Sequence, residues 1–101
     1  MLNLTTTATI LGLAKRPGLT RDGRSVLSLN IKINDATYEL NLVTKPSQGI
    51  QQALEYLAEK GYLKKTNEDQ YLLLIPTWSL SKAKNGVIWL HLEDYEKLAG
   101  T

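Results

Sequence analysis

The sequence predicts a single, mainly β domain of 101 residues, with one α-helix between its third and fourth strands. Three observations predict this fold class. The length and the 43% apolar content are typical of one compact core. Apolar and polar residues alternate in several short segments, which is the pattern of half-buried strands. The segment between Pro46 and Gly61 instead carries apolar residues at helical spacing.

The first predicted strand runs from Leu4 to Leu13 and is rich in Thr and Ile. A basic segment, Lys15–Arg24, follows it. Because Pro17-Gly18 and Asp22-Gly23 are turn dipeptides, this basic segment is predicted to lie on a connection rather than in a regular element.

The next two strands form a predicted β-hairpin. Val26–Ile33 alternates strictly, and Asn34-Asp35 makes a tight turn after it. The third strand continues the alternation through Tyr38, Leu40 and Leu42. One face of the second strand is apolar and consists of Leu27, Leu29, Ile31 and Ile33. Its opposite face consists of Val26, Ser28, Asn30 and Lys32.

The predicted helix begins near Pro46-Ser47, where the Ser47 side chain can accept a hydrogen bond from an unpaired backbone N–H. It ends near Lys60-Gly61, since glycine is common just after a helix. Its predicted apolar face consists of Ile50, Ala53, Leu54 and Leu57.

Two further strands complete the prediction. Gln70–Ile75 is apolar on both faces, which predicts burial, and Pro76 then permits a bend because it cannot donate to a ladder. After a basic turn, Ser81–Gly86, the residues Val87–Leu92 alternate as a fifth strand. Glu93, Asp94 and Glu96 are predicted to lie in a solvated terminal turn, and not to form a metal site, because no histidine partner stands at ligand spacing.

This order of five strands, with a helix between the third and the fourth, is the plan of the OB-fold, a Greek-key barrel. In that fold oligonucleotides bind to the second and third strands and to the loops that join strands 1 to 2 and 4 to 5. Lys15–Arg24 and Ser81–Gly86 occupy those two loops in the predicted order.

The same two segments concentrate the positive charge. They hold six of the twelve basic residues and one of the ten acids, a net charge of +5, whereas the rest of the chain carries −3. If both loops lie on one side of the fold, they form an electrostatic footprint for a polyanion such as a nucleic acid.

The segment Ala8–Ile33 resembles the opening of bacterial single-stranded DNA-binding proteins (SSB), and it looks most like the small SSB-like proteins of cyanobacteria and plastids. Leu74–Trp78 also resembles the family's fourth strand, which brings Trp78 near the place of a base-stacking tryptophan. The resemblance implies a homo-oligomer, either a dimer or a tetramer. The positions that carry the likeness in the first segment are Gly12, Pro17, Leu19, Arg21, Gly23 and Val26.

The chain departs from the SSB pattern at two places. The long hairpin loop that carries aromatic and basic residues in the family has shrunk to Asn34-Asp35. The sequence ends at Thr101 without the acidic tail through which such proteins recruit partners, so replication or repair proteins remain partners implied by the resemblance alone.

Binding of single-stranded DNA requires cations that neutralise phosphates and flat aromatic faces on which bases stack. Trp89 shares the polar parity of its strand, which favours stacking, although an edge or oligomer-interface role fits equally. Tyr38 shares the parity of Leu40 and Leu42, which predicts a core position. Trp78 shares its register with Leu72, Leu74 and Leu80, which favours burial, whereas the resemblance favours the groove. The stacking candidates are Trp78 and Trp89. The phosphate-binding candidates are Lys15, Arg16, Arg21, Arg24, Lys32, Lys82 and Lys84, each of which could equally be a solvated surface residue.

Several classes of function lack the residues they need. The chain has no cysteine, which excludes disulfides and cysteine-based metal sites or nucleophiles. His91 is the single histidine, and no nucleophile–base pair, P-loop or dinucleotide motif occurs. Neither a signal peptide nor a membrane-spanning segment is recognisable. We therefore expect a non-enzymatic protein without metal or cofactor, in the cytoplasm at the nucleoid or in the plastid stroma.

The sequence predicts a protein that binds single-stranded DNA largely without sequence preference, in replication, recombination or repair. The alternative is an OB-fold protein-interaction or assembly module, similar to a primosome accessory protein, with weak or no DNA binding. The short hairpin turn and Glu39, a carboxylate on the outward face of the third strand, favour this alternative. RNA is a further ligand, because charge and stacking alone do not read the 2′-hydroxyl.

Overall fold

The computed structural model describes residues 4–13 and 18–99. Within these ranges the chain forms seven strands and three helices. The strands are β1 (Thr5–Leu13), β2 (Gly18–Leu19), β3 (Ser25–Ile33), β4 (Ala36–Val43), β5 (Leu63–Lys65), β6 (Tyr71–Pro76) and β7 (Val87–His91). The helices are α1 (Ile50–Glu59), α2 (Trp78–Ser81) and α3 (Leu92–Ala99).

All seven strands belong to one mixed sheet. Six of them form the path β5-β6-β1-β3-β4-β7, and β2 pairs with β3 along the same edge as β1. Neighbouring strands are antiparallel except for β4 and β7, which are parallel. The predictions of a mainly β domain and of a helix between the third and fourth long strands, β4 and β6, are confirmed.

The sheet of the described residues is open and does not close into the five-stranded barrel that the sequence predicts. In the described part of the chain no ladder joins β6 to β7, the two strands that would have to pair to close it. The short helix α2 and the helix α3 each contact both of these strands instead. Helices therefore fill the seam that backbone hydrogen bonds would occupy in a closed barrel.

The core lies between the inner face of the sheet and the helices α1 and α3. The alternation in β3 is confirmed, since Leu27, Leu29, Ile31 and Ile33 are all buried. Helix α1 contributes Ala53 and Leu57, as its predicted apolar face requires. Burial of each aliphatic side chain of this kind stabilises the fold by about 1.5–3 kcal/mol.

Two glycines set the ends of α1. The predicted cap at Ser47 is wrong, because its backbone is left-handed (φ 63°) and the helix begins at Ile50. The Gly49 N–H donates to Gln52 Oε1 at 3.0 Å instead. At the other end Gly61 adopts φ 84°, and the Tyr62 N–H donates to the Leu57 carbonyl at 2.8 Å. This is a Schellman motif, which glycine tolerates without steric cost.

The predicted terminal turn after residue 92 is wrong, because these residues form α3. Leu92, Tyr95 and Leu98 recur at helical spacing and are buried, which anchors the helix to the core. Its first turn carries Glu93 and Asp94, which suit the positive end of the helix dipole. None of the helices in the described ranges is long and apolar enough to span a membrane.

Candidate nucleic-acid interface

The outward-pointing side chains of β3, β4 and β7 form one surface of the sheet, which we call the outer face. Their strand parity is opposite to that of the buried residues Leu29, Leu40 and Leu90. The strand register aligns the outer face in four rows, which are Val26–Val43–His91, Ser28–Asn41–Trp89, Asn30–Glu39–Val87 and Lys32–Thr37. The outer face is therefore mostly polar, with a single tryptophan at its edge strand.

Trp89 is the most exposed aromatic side chain in the described part of the chain, at 60% exposure. It lies in the middle of β7, an edge strand whose backbone is covered on both sides of it. Val87 and Lys84 exchange two backbone hydrogen bonds of 3.0 Å, and the His91 N–H donates to Asp94 Oδ2 at 2.9 Å. This short edge is protected against strand addition, while the indole ring stays accessible for stacking.

A hydrogen-bond network orders the polar side chains next to Trp89. Asn41 is 5% exposed, and its Oδ1 accepts a hydrogen bond from Ser28 Oγ. Its Nδ2 donates to Glu39 Oε2 at 3.3 Å. The network satisfies the buried amide and fixes the orientation of the Glu39 carboxylate on the outer face.

A groove of about 490 Å³ crosses the outer face at the end where β7 begins. Its lining includes Leu11, which is 54% exposed at an irregularity in the β1–β3 ladder. One wall is the turn Asn85-Gly86, with φ values of 55° and 77°, typical of a two-residue hairpin turn. The other lining residues are Asn30, Thr37, Tyr38 and Glu39.

The first basic segment contributes one free cation from its described part. Arg21 is exposed in a turn in which the Gly23 N–H donates to the Thr20 carbonyl at 3.1 Å. This turn precedes Ser25, at the end of the outer face where Val43 pairs with His91. Lys15 and Arg16, also predicted to bind phosphate, lie outside the described residues.

The second basic segment lies at the opposite end of β7. Lys84 is exposed beside the start of that strand, and Lys32 is exposed on β3 near the same end. Arg21, in the described part of the first basic segment, and Lys84 are therefore separated by about the length of β7, roughly 13 Å for five residues. These two cations flank the outer face from its two ends.

Arg24, one of the predicted phosphate ligands, is paired with two carboxylates. Its Nε donates to Asp22 Oδ2 at 2.9 Å, and its Nη1 donates to both carboxylate oxygens of Glu93 at 3.0 and 2.9 Å. The hydrogen bond to Glu93 is the main cause that raises the pKa of Arg24. Burial is the largest single influence on the pKa of Glu93 and would raise it, but the hydrogen bond from Arg24, a backbone hydrogen bond and the nearby positive charge of Arg24 together leave that pKa below its ordinary value.

Trp78 does not lie on a strand of the outer face. It is the first residue of α2, half-buried, and it packs against the core. The Lys82 ammonium lies 5.0 Å from its ring centroid, a cation–π distance. Stacking of a base on Trp78 would therefore compete with Lys82, and both predicted site residues are engaged with each other.

Sequence reasoning missed part of the groove. Leu11 was assigned to a regular strand, whereas the register shifts between Ile10 and Gly12 and leaves it outside the alternation. Gly12 was the available signal, because a glycine inside a strand often marks such an irregularity.

Tyr38 is half-buried and packs against the core, as its parity predicts.

The acidic residues of α3 serve as structural partners. Glu93 binds Arg24, Glu96 binds Lys45, and Asp94 accepts from the His91 backbone. In residues 4–13 and 18–99 no group of three or more His, Cys, Asp or Glu side chains is placed to hold a metal ion.

Comparisons of the chain with protein-family models, with curated proteins and with solved structures found no match. The function is therefore inferred from the residues and their geometry.

Proposed function

We propose that this chain is an OB-fold module that binds single-stranded DNA on its outer face. Support for the fold comes from the path β6-β1-β3-β4, which has the 4-1-2-3 order of a Greek key when the long strands are numbered along the chain. The OB-fold is a partly open barrel, so an open seam is compatible with it. The hairpin of β3 and β4, central in the sheet, would then be the binding surface.

The observation that carries the proposal is Trp89, which exposes 60% of its surface within a polar face. Exposure of a large aromatic side chain to water is unfavourable in free energy, and a ligand that covers the ring removes this cost. A base stacked on such a ring contributes about 1–3 kcal/mol. Trp89 adjoins Asn41 in the register, so a strand crossing the outer face would pass over the ring.

Phosphate neutralisation would come from cations around the same face. Lys32 lies on it, and Arg21 and Lys84 stand at its two ends. Lys82 would contribute after release from the Trp78 ring. The separation of these cations favours an extended strand that runs along the face over a compact anion.

The resemblance of Ala8–Ile33 to SSB proteins supports the same ligand. By that resemblance the protein would be a dimer or tetramer, which would present several outer faces to one strand and raise avidity. RNA would bind by the same contacts.

Tryptophan fluorescence tests the proposal, because the chain has two tryptophans in different settings. A mixed-sequence single-stranded oligonucleotide is titrated at low and at high salt into Trp78→Phe and into Trp89→Phe. Trp78→Phe should be quenched, with an affinity that falls steeply with salt. Trp89→Phe should show little quenching, and absence of salt-dependent quenching in both variants would refute DNA binding.

The second candidate is a protein-interaction or assembly module, favoured by Leu19, which is 77% exposed on β2. Leu11 and Trp89 are also exposed apolar residues, and Arg24 is neutralised by its carboxylate partners. Replacement of Leu19 by Ser distinguishes the two functions. Dissociation of an oligomer in sedimentation, together with no DNA retention by the unchanged chain, would favour the assembly module.

A further inference from the structure

Glu39 is an unusual residue for a surface that binds a polyanion. It is the one carboxylate among the described side chains that line the groove between Leu11 and Asn85-Gly86. Among residues 4–13 and 18–99 no lysine or arginine belongs to that lining. A phosphate inside this groove would meet the negative charge of Glu39, whereas Lys32 and Lys84 stand beside the groove and can hold the phosphates outside it, so the arrangement favours a base at this point.

The Glu39 carboxylate is held in one orientation with a free acceptor. Its Oε2 accepts from Asn41 Nδ2, and the buried Asn41 is fixed in turn by Ser28. No side chain or backbone group of the described residues donates to Oε1. An ordered carboxylate oxygen with unused acceptor capacity is a recognition element for hydrogen-bond donors.

We propose that Glu39 makes the groove selective for bases that carry an exocyclic amino group, an inference that rests on the proposed function. Cytosine presents an N4 amino group, and a carboxylate accepts a hydrogen bond from it. Thymine and uracil present a carbonyl oxygen at the same ring position, which repels a carboxylate. The amino groups of adenine and guanine are donors of the same kind.

The neighbouring residues support a base at this position. Leu11 offers an exposed apolar side chain for the face of a base, and Asn30 shares the row of Glu39 and carries an amide for a second hydrogen bond. Trp89 lies two residues from Val87, the β7 residue in that row, so that stacking and edge recognition would act on nearby nucleotides.

The test compares oligo-dC with oligo-dU of equal length, at slightly alkaline pH and low salt. The two strands share backbone and ring size and differ on the base edge. We expect oligo-dC to bind about tenfold more tightly, within the range of discrimination of a good base contact. Glu39→Gln should bring the dC/dU affinity ratio close to one and strengthen oligo-dU binding, because the repelling charge is gone.

Glu55→Gln is the matched control, since Glu55 is exposed on α1 and is not part of the groove. It should keep the wild-type dC/dU ratio. Equal affinity of the wild type for both strands would overturn the selectivity and leave DNA binding intact. A Glu39→Gln variant that binds both strands more tightly by the same factor would also overturn the selectivity. Failure to bind either strand would overturn both the selectivity and the proposed function.

Discussion

Arg24 and Glu93, which are 69 residues apart in the sequence, form a two-point ion pair with Nη1–Oε distances of 3.0 and 2.9 Å. The pair joins the turn before β3 to the first turn of α3. A second contact, from Lys45 to Glu96, joins α3 to the segment after β4. The helix that fills the seam of the open sheet is thus fixed by charge on one side and by Tyr95 and Leu98 on the other.

Arg21 and Arg24 should differ in their contribution to DNA binding, although both belong to the same basic segment. Arg21→Gln should lower the slope of log affinity against log salt by about 0.7, the value for one phosphate contact on a single strand. Arg24→Gln should leave that slope unchanged and reduce the free energy of unfolding, because Glu93 loses its partner. A salt titration of the dissociation constant checks both, and an equal loss of slope in Arg24→Gln would contradict the structural role.

The Arg24–Glu93 pair should make stability depend on pH in the acidic range. Because the pKa of Glu93 is lowered in the folded state, its contribution is complete above the ordinary glutamate pKa of about 4.3. It is lost as the pH falls through the lower folded-state value. The free energy of unfolding, measured in urea, should therefore be higher for the wild type than for Glu93→Gln at neutral pH. This difference should disappear on acidification.

Glu68→Gln is the control for this pH series, since Glu68 is exposed and forms no ion pair in the described structure. The Glu68→Gln substitution removes one negative charge, as Glu93→Gln does, but it breaks no ion pair of the described residues. If the difference in free energy of unfolding between wild type and Glu93→Gln stays constant down to strongly acidic pH, Glu93 stabilises the fold by packing and not by charge.

Removal of the Tyr95 hydroxyl should stabilise the protein. Tyr95 is 0% exposed, and its Oη has no hydrogen-bond partner in the described residues. Burial without a partner also raises the pKa of this phenol. Tyr95→Phe keeps the ring beside Tyr62, with centroids 4.9 Å apart, and should raise the free energy of unfolding by about 1 kcal/mol.

Urea unfolding with an unchanged m-value measures that effect. Tyr62→Phe is the comparison, because the Tyr62 hydroxyl is not a buried unpaired group, and it should change stability by less than about 0.5 kcal/mol. A loss of stability in Tyr95→Phe would mean that the hydroxyl has a partner.

The parts of the fold that follow local periodicity could be predicted from the sequence. The strict alternation in Val26–Ile33 correctly identified both the core face and the polar outer face. The helix α3 was missed because Leu92 fits two patterns. It continues the alternation of Ile88 and Leu90, and it also begins the helical spacing to Tyr95. No turn residue separates β7 from α3 to mark the change.

The residues of the candidate site could be predicted only where the alternation along a strand determines which side chains are exposed. Trp89 is exposed as its position in β7 requires. The ion pair between Arg24 and Glu93 is a contact between distant segments of the chain, which no local pattern reveals. Trp78 was placed near the groove by the resemblance of Leu74–Trp78 to the fourth strand of SSB proteins, but the chain turns into α2 after Pro76, so Trp78 does not lie on a strand.

The central claim is that single-stranded DNA binds over Trp89, and Trp89→Ala tests it most directly. The dissociation constant for a mixed-sequence single strand at low salt should rise about five- to 150-fold, the equivalent of one lost stacking contact. Tyr71→Ala, which removes an exposed aromatic side chain from β6, should leave it unchanged. A Trp89→Ala variant that binds as tightly as the wild type would contradict the account.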